Sequence, residues 1–145
     1  MKKIDEAKNF LINNYHLFEC PLCQEPIIAV DHYSIVCSHG HRFDRSKNGK
    51  LFLIKHGVKS DYDDLQLWQA RRELLQKGLF DGAIKAILSH LPSQNINILD
   101  IGCGEGNPLA KIAAMRPEFT DNLIGFDILK EAVNLAMQQY HNFFV

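Results

Sequence analysis

An apolar run that ends in an acid and enters three glycines at alternate positions constrains this chain most. It reads Ile98-Leu99-Asp100-Ile101-Gly102-Cys103-Gly104-Glu105-Gly106-Asn107. The stretch from Pro108 to Met115 that follows has the pattern of a helix. Strand, glycine turn and helix in succession build the ligand site of an open α/β sheet, so the fold class predicted here is α/β. Glycines permit a positive φ and let a ligand approach the backbone closely.

The spacing of those glycines narrows the ligand. A dinucleotide fingerprint, Gly-x-Gly-x-x-Gly, needs its third glycine at 107 counted from Gly102, or at 109 counted from Gly104. Those positions hold Asn107 and Leu109. The alternate-glycine loop suits S-adenosylmethionine better, because that cofactor brings no pyrophosphate to the helix N-terminus. A second strand, Asn122 to Phe126, runs into Asp127, which lies 21 residues after Gly106. A carboxylate there can accept hydrogen bonds from both ribose hydroxyls. Its competing role is to cap the helix predicted from Leu129 to Tyr140. Asp100, Gly102, Gly104, Glu105, Gly106, Asn107 and Asp127 are therefore the candidate cofactor residues. Cys103 reads as a small filler between glycines.

The second informative stretch lies upstream. Cys20-Pro21-Leu22-Cys23 is followed by two short strands, Ile27 to Val30 and Tyr33 to Val36, and then by Cys37-Ser38-His39-Gly40-His41. Cys-x2-Cys, a hairpin and Cys-x3-His describe two knuckles with two ligands each, the plan of a structural zinc ribbon. Cys20, Cys23, Cys37 and His41 are the predicted ligands, and His39 is the competitor for the fourth place. Four protein ligands leave no open position, so the metal is assigned to structure and not to catalysis. Two strands make too small a core to fold unaided, and the metal supplies what is missing.

Composition excludes several classes. The chain has 145 residues, 46% hydrophobic and 23% charged, with a formal net charge of -1. That is a globular composition without a global field for nucleic acid. No apolar run approaches the ~20 residues needed to span a bilayer. The N-terminus carries no apolar signal-peptide core, so a cytoplasmic protein with reduced thiols is expected.

Charge is local instead. Residues 42–59 carry six Lys/Arg against one Asp, with Phe43 and Phe52 among them. Beside a rigid knuckle this suits RNA, whose phosphates meet cations and whose unstacked bases meet rings. The alternative is that Phe43, Leu51, Phe52 and Leu53 form a small core under a solvated face. From Ser60 to Asp64 the charge turns acidic, which places a domain boundary between residues 1–60 and 61–145. Helices are predicted at Asp5 to Leu17, at Leu65 to Lys77 with Leu67, Ala70, Leu74 and Leu75 on its inner face, and at Ala83 to Leu91.

Cys20-Pro-Leu-Cys23, Cys37-x3-His41-Arg-Phe-Asp44, Gln69-Ala-Arg-Arg72 and Leu99-Asp-Ile-Gly-Cys-Gly-Glu-Gly106 occur in this order. In that combination the chain resembles the bacterial 23S rRNA guanine-N1 methyltransferases of the large-subunit methyltransferase A type. The resemblance implies a zinc-ribbon-like N-terminal module that helps recognise a 23S rRNA hairpin. It implies a Rossmann-like domain that transfers the S-adenosylmethionine methyl to guanine N1, with homodimers among full-length members. It carries Gly104, Glu105 and Gly106 onto the cofactor, and matches Phe80 to a cofactor-contacting tyrosine, of which only the ring survives. It leaves the catalytic residue and the target guanine unassigned. Residues 141–145 read as the start of a third strand, so the expectation is a first part of the methyltransferase domain, binding zinc and methylating weakly or not at all. The rival expectation is a zinc-dependent RNA-binding module without methyltransferase activity.

Overall fold

The computed structural model describes residues 2–54 and 56–145. It divides into two compact units, residues 1–56 and 57–144.

The first unit opens with helix α1 (Lys3–Asn14), which buries Ala7 and Leu11 one turn apart. Strands β1 (Ile27–Asp31) and β2 (Ser34–Cys37) form the expected hairpin. A third strand, β3 (Arg42–Asp44), pairs antiparallel with β2, so the sheet has one more strand than the predicted two. Three residues with alternate burial are too short to register as a strand in sequence. The core is Ala7, Leu11, Cys20, Ile27, Ile35, Cys37, Phe43 and Leu51.

That core takes in only part of the small core expected within residues 42–59. Phe43 and Leu51 are buried, whereas Phe52 is exposed with the Lys50 ammonium 5.5 Å above its ring. Arg45 is also buried. Its guanidinium donates to the His32 carbonyl and, at 3.4 Å, to that of Ile4, tying α1 to the hairpin. Arg42 pairs with Asp31. Arg42 and Arg45 therefore serve the unit's own structure, and Lys55 lies outside the described residues.

The second unit begins with helix α2 (Leu65–Gln76), whose Asp64 cap accepts from the Leu67 amide at 2.9 Å. Gly78, at φ 95°, ends it. The predicted inner face holds only at Leu75, which is buried: Leu67, Ala70 and Leu74 are exposed, and Trp68, outside that face, is buried. The stripe that turns inward is Trp68, Arg72 and Leu75, at helical spacing. An arginine in the middle of it hides the periodicity.

Helix α3 (Asp81–His90) leads to a parallel sheet of β4 (Asn97–Ile101), β5 (Asn122–Phe126) and β6 (Phe143–Phe144), in that order. Helices α4 (Asn107–Ala114) and α5 (Lys130–Gln139) connect the strands. The core gathers Cys103, Leu109, Leu123, Val133, Ala136, Met137 and Phe144. Gly125 is needed because a Cβ there would lie 2.6 Å from the Phe144 ring.

The strand entries are pinned by one buried ion pair. Arg116 meets Asp121 at 2.6 Å and donates to the Pro92 and Gln94 carbonyls, while Asp121 accepts from the Ile96 amide. The Arg116 hydrogen bond outweighs burial and holds the Asp121 carboxyl below its usual range. A depressed carboxyl contributes stability above its unfolded pKa and loses it as pH falls through the folded value. Asp121→Asn should therefore flatten the loss of stability below about pH 4, measured by urea unfolding across that range.

Candidate metal centre and cofactor loop

The metal centre is assembled by the two knuckles. The Leu22 amide donates to Cys20 Sγ at 3.4 Å, and the His41 amide to Cys37 Sγ at 3.3 Å. These N–H···S bonds curl each knuckle around its sulfur. The ligand atoms of Cys20, Cys23, Cys37 and His41 all lie within 4.8 Å of one another.

The edge lengths can be compared with those of a tetrahedral zinc site. Tetrahedral zinc with Zn–S of about 2.3 Å and Zn–N of about 2.0 Å requires S···S near 3.8 Å and S···N near 3.5 Å. Cys23 Sγ lies 3.8 Å from Cys37 Sγ. His41 Nδ1 lies 3.5 Å from the sulfurs of both Cys20 and Cys37. The donor set fits zinc, and His41, not His39, stands at the fourth corner. Burial, with the neighbouring thiols of Cys20 and Cys37 adding to it, pushes the Cys23 thiol up to about 11. Without a cation it stays protonated.

The glycine loop lies at the carboxyl ends of β4 and β5, where open α/β sheets bind ligands. Gly102, Gly104 and Gly106 take φ of 79°, 57° and 83°. The Gly102 and Cys103 amides donate to the Phe126 carbonyl at 2.7 and 3.0 Å. Asp127 accepts from the Gly104 amide at 2.8 Å through one oxygen and from the Leu129 amide at 2.8 Å through the other. The acid thus buttresses the loop and caps the entry to α5. Each of its oxygens keeps a lone pair for a ligand hydroxyl. Burial, with the charge of Asp127 adding to it, raises the Asp100 carboxyl.

Glu105 behaves differently from the other loop residues. Its carboxylate is fully buried and meets Arg72 Nε at 2.8 Å, while its second oxygen accepts from the Asn107 amide at 3.0 Å. Arg72 also donates to the Leu135 carbonyl at 2.8 Å. Glu105 therefore offers a ligand its backbone and not its side chain. Asn107 is buried, with its side-chain amide 3.4 Å from the Tyr140 hydroxyl. The Trp68 ring packs directly beneath Gly104, where a Cβ would come within 2.8 Å of Cζ3.

Phe80 sits at the N-terminal boundary of α3 and is exposed. Cys103 is buried, and burial together with the charges of Asp100, Asp127 and Glu105 pushes its thiol up to about 12, in keeping with a filler. Arg72 and Trp68 escaped the sequence reading as site residues. The signal for Arg72 was the Gln69-Ala-Arg-Arg72 motif, which had no assigned task.

The site thus defines a class: a zinc ribbon joined to a methyltransferase-type α/β domain. A family model described as "RlmA, N-terminal", a zinc ribbon, matches residues 18–56, and one described as "Methyltransferase domain" matches residues 92–145. The chain is similar to the 23S rRNA (guanine(748)-N(1))-methyltransferase of Streptomyces fradiae, at 28% identity over 137 residues. That match covers 88% of this chain and 46% of the relative, so the chain spans about half the relative's length. These matches make the chain similar to the RlmA-type 23S rRNA (guanine-N1)-methyltransferases. No helix among the described residues is long and apolar enough to cross a membrane.

Proposed function

We propose that this chain carries the zinc ribbon and the cofactor loop of an S-adenosylmethionine-dependent enzyme that methylates N1 of a guanine in 23S rRNA. The observation that carries the reading is the joining of Gly104 to Asp127 across the ends of β4 and β5, in a chain that also holds a Cys3His ribbon. The glycine loop would approach the amino-acid end of the cofactor through its backbone. Asp127 would hold the ribose, with Asp100, Gly102, Gly104, Gly106 and Asn107 shaping the floor. When bound, the cofactor supplies an electrophilic methyl on a sulfonium, and the protein supplies orientation.

The ribbon is assigned to RNA. Lys50 over the exposed Phe52 ring offers a cation and a stacking face together. Lys47 and Tyr33 are exposed in the same unit. A 23S rRNA hairpin is the proposed partner, bound with strong salt dependence.

The test is methyl transfer with tritiated S-adenosylmethionine and 23S rRNA. The label should enter the RNA, and primer extension should stop at one guanine, because an N1-methyl group blocks base pairing. Equal labelling of free nucleotides and of rRNA would overturn the RNA assignment.

A further inference from the structure

The proposed function leaves Arg72 without a task, although it lies in the Gln69-Ala-Arg-Arg72 motif. We propose that Arg72 is the positioning residue of the cofactor loop: it turns Glu105 inward and holds residues 104–107 in their ligand-ready shape. The proposal rests on the reading of this loop as the S-adenosylmethionine site.

Glu105 stands between two glycines in the left-handed region, Gly104 at φ 57° and Gly106 at φ 83°. Glycines on both sides leave that peptide freer than any other flanking pair would. Its anchor is therefore its side chain. The carboxylate is fully buried, with one oxygen on Arg72 Nε and the other on the Asn107 amide at the first turn of α4. Arg72 in turn donates from its far nitrogen to the Leu135 carbonyl on α5. One guanidinium thus bridges the loop and α5 from α2, and Glu105 passes the connection on to α4. If Glu105 swung outward, a carboxylate would stand where the amino-acid end of the cofactor, itself carrying a carboxylate, is to bind. The Trp68 ring, one turn earlier on α2, supports Gly104 from below.

The geometry requires arginine. Two acceptors on different elements are met at once by a planar fork, and an ammonium meets them poorly. Arg72→Lys keeps the charge and loses the bridge, so it separates positioning from ionic pairing.

The experiment uses the zinc-loaded chain and two readouts. The first is amide hydrogen exchange without cofactor. Arg72→Lys should speed exchange at Gly104 and Asn107 roughly tenfold while the β5 amides stay as they are. The second is calorimetry with S-adenosylmethionine, where Arg72→Lys should weaken binding roughly tenfold. Leu75→Ala removes packing from the same helix and is the control, lowering thermal stability with no change at the loop. Unchanged loop exchange in Arg72→Lys would overturn the proposal, as would an equal loosening in Leu75→Ala. Faster loop exchange in a chain whose unsubstituted form binds no S-adenosylmethionine would uphold the loop-holding role and overturn the cofactor reading instead.

Discussion

Removing zinc should unfold the N-terminal unit and leave the second unit standing. Two of the eight buried hydrophobic side chains among the first unit's described residues, Cys20 and Cys37, belong to the Cys3His cluster that fits zinc. The others sit on one short helix, three short strands and the loop that follows, which together bury too little apolar surface to fold alone. In such modules metal binding and folding are one event. A strong chelator, or Cys37→Ala with zinc present, should therefore abolish the unit's near-ultraviolet circular dichroism. The emission of Trp68, the chain's single tryptophan, should persist, because Trp68 packs on Ala132 and Leu135 in the second unit. Thiol labelling at neutral pH counts the same event. The loaded protein should react slowly, and the chelated one should expose Cys20, Cys23 and Cys37. Cys103 should stay unlabelled because its thiol is buried and raised to about 12. His39→Ala should keep the metal, and His41→Ala should lose it.

The second large effect is expected at Gly104. An alanine there would hold φ near 57° and place its Cβ 2.8 Å from Trp68 Cζ3. The left-handed conformation costs about 1–2 kcal/mol for a residue with a Cβ, and forcing an atom against a packed ring adds about 1–3 kcal/mol. Trp68 is itself buried and cannot retreat cheaply. Gly104→Ala should thus lose about 3 kcal/mol of unfolding free energy. S-adenosylmethionine binding should fall at least roughly a hundredfold, since the 104 amide would leave Asp127. Gly102→Ala is the companion measurement. Its φ is 79°, but its Cβ would meet nothing within 4 Å. Only the backbone cost of about 1 kcal/mol should appear, in chemical denaturation of both variants side by side.

The parts of this molecule that were legible in sequence are those set by short spacings. Cys-x2-Cys and Cys-x3-His place four ligand atoms without long-range information, and the glycines and the acids around them mark the ends of β4 and β5. The order of helices and strands in the second unit followed from periodicity. What stayed hidden depends on partners distant in the chain. Arg72 finds Glu105 33 positions away, and nothing local says that a charged side chain will turn inward. The same holds for Arg45, counted as a surface cation but buried on the Ile4 and His32 carbonyls. Leu67 and Leu74 looked like the inner face of α2 because apolar residues are the usual sign of burial; Trp68, Arg72 and Leu75 form the true one. Phe43 and Phe52 are alike in sequence, yet one lies inward on a strand and the other sits outside beneath Lys50.

The most direct test of the central claim is which adenosine cofactor the loop accepts. Calorimetric titration of the zinc-loaded chain with S-adenosylmethionine and, separately, with NAD should show one S-adenosylmethionine per chain, competed by S-adenosylhomocysteine, and no heat from NAD. Saturable binding of NAD, or of neither, would contradict the account.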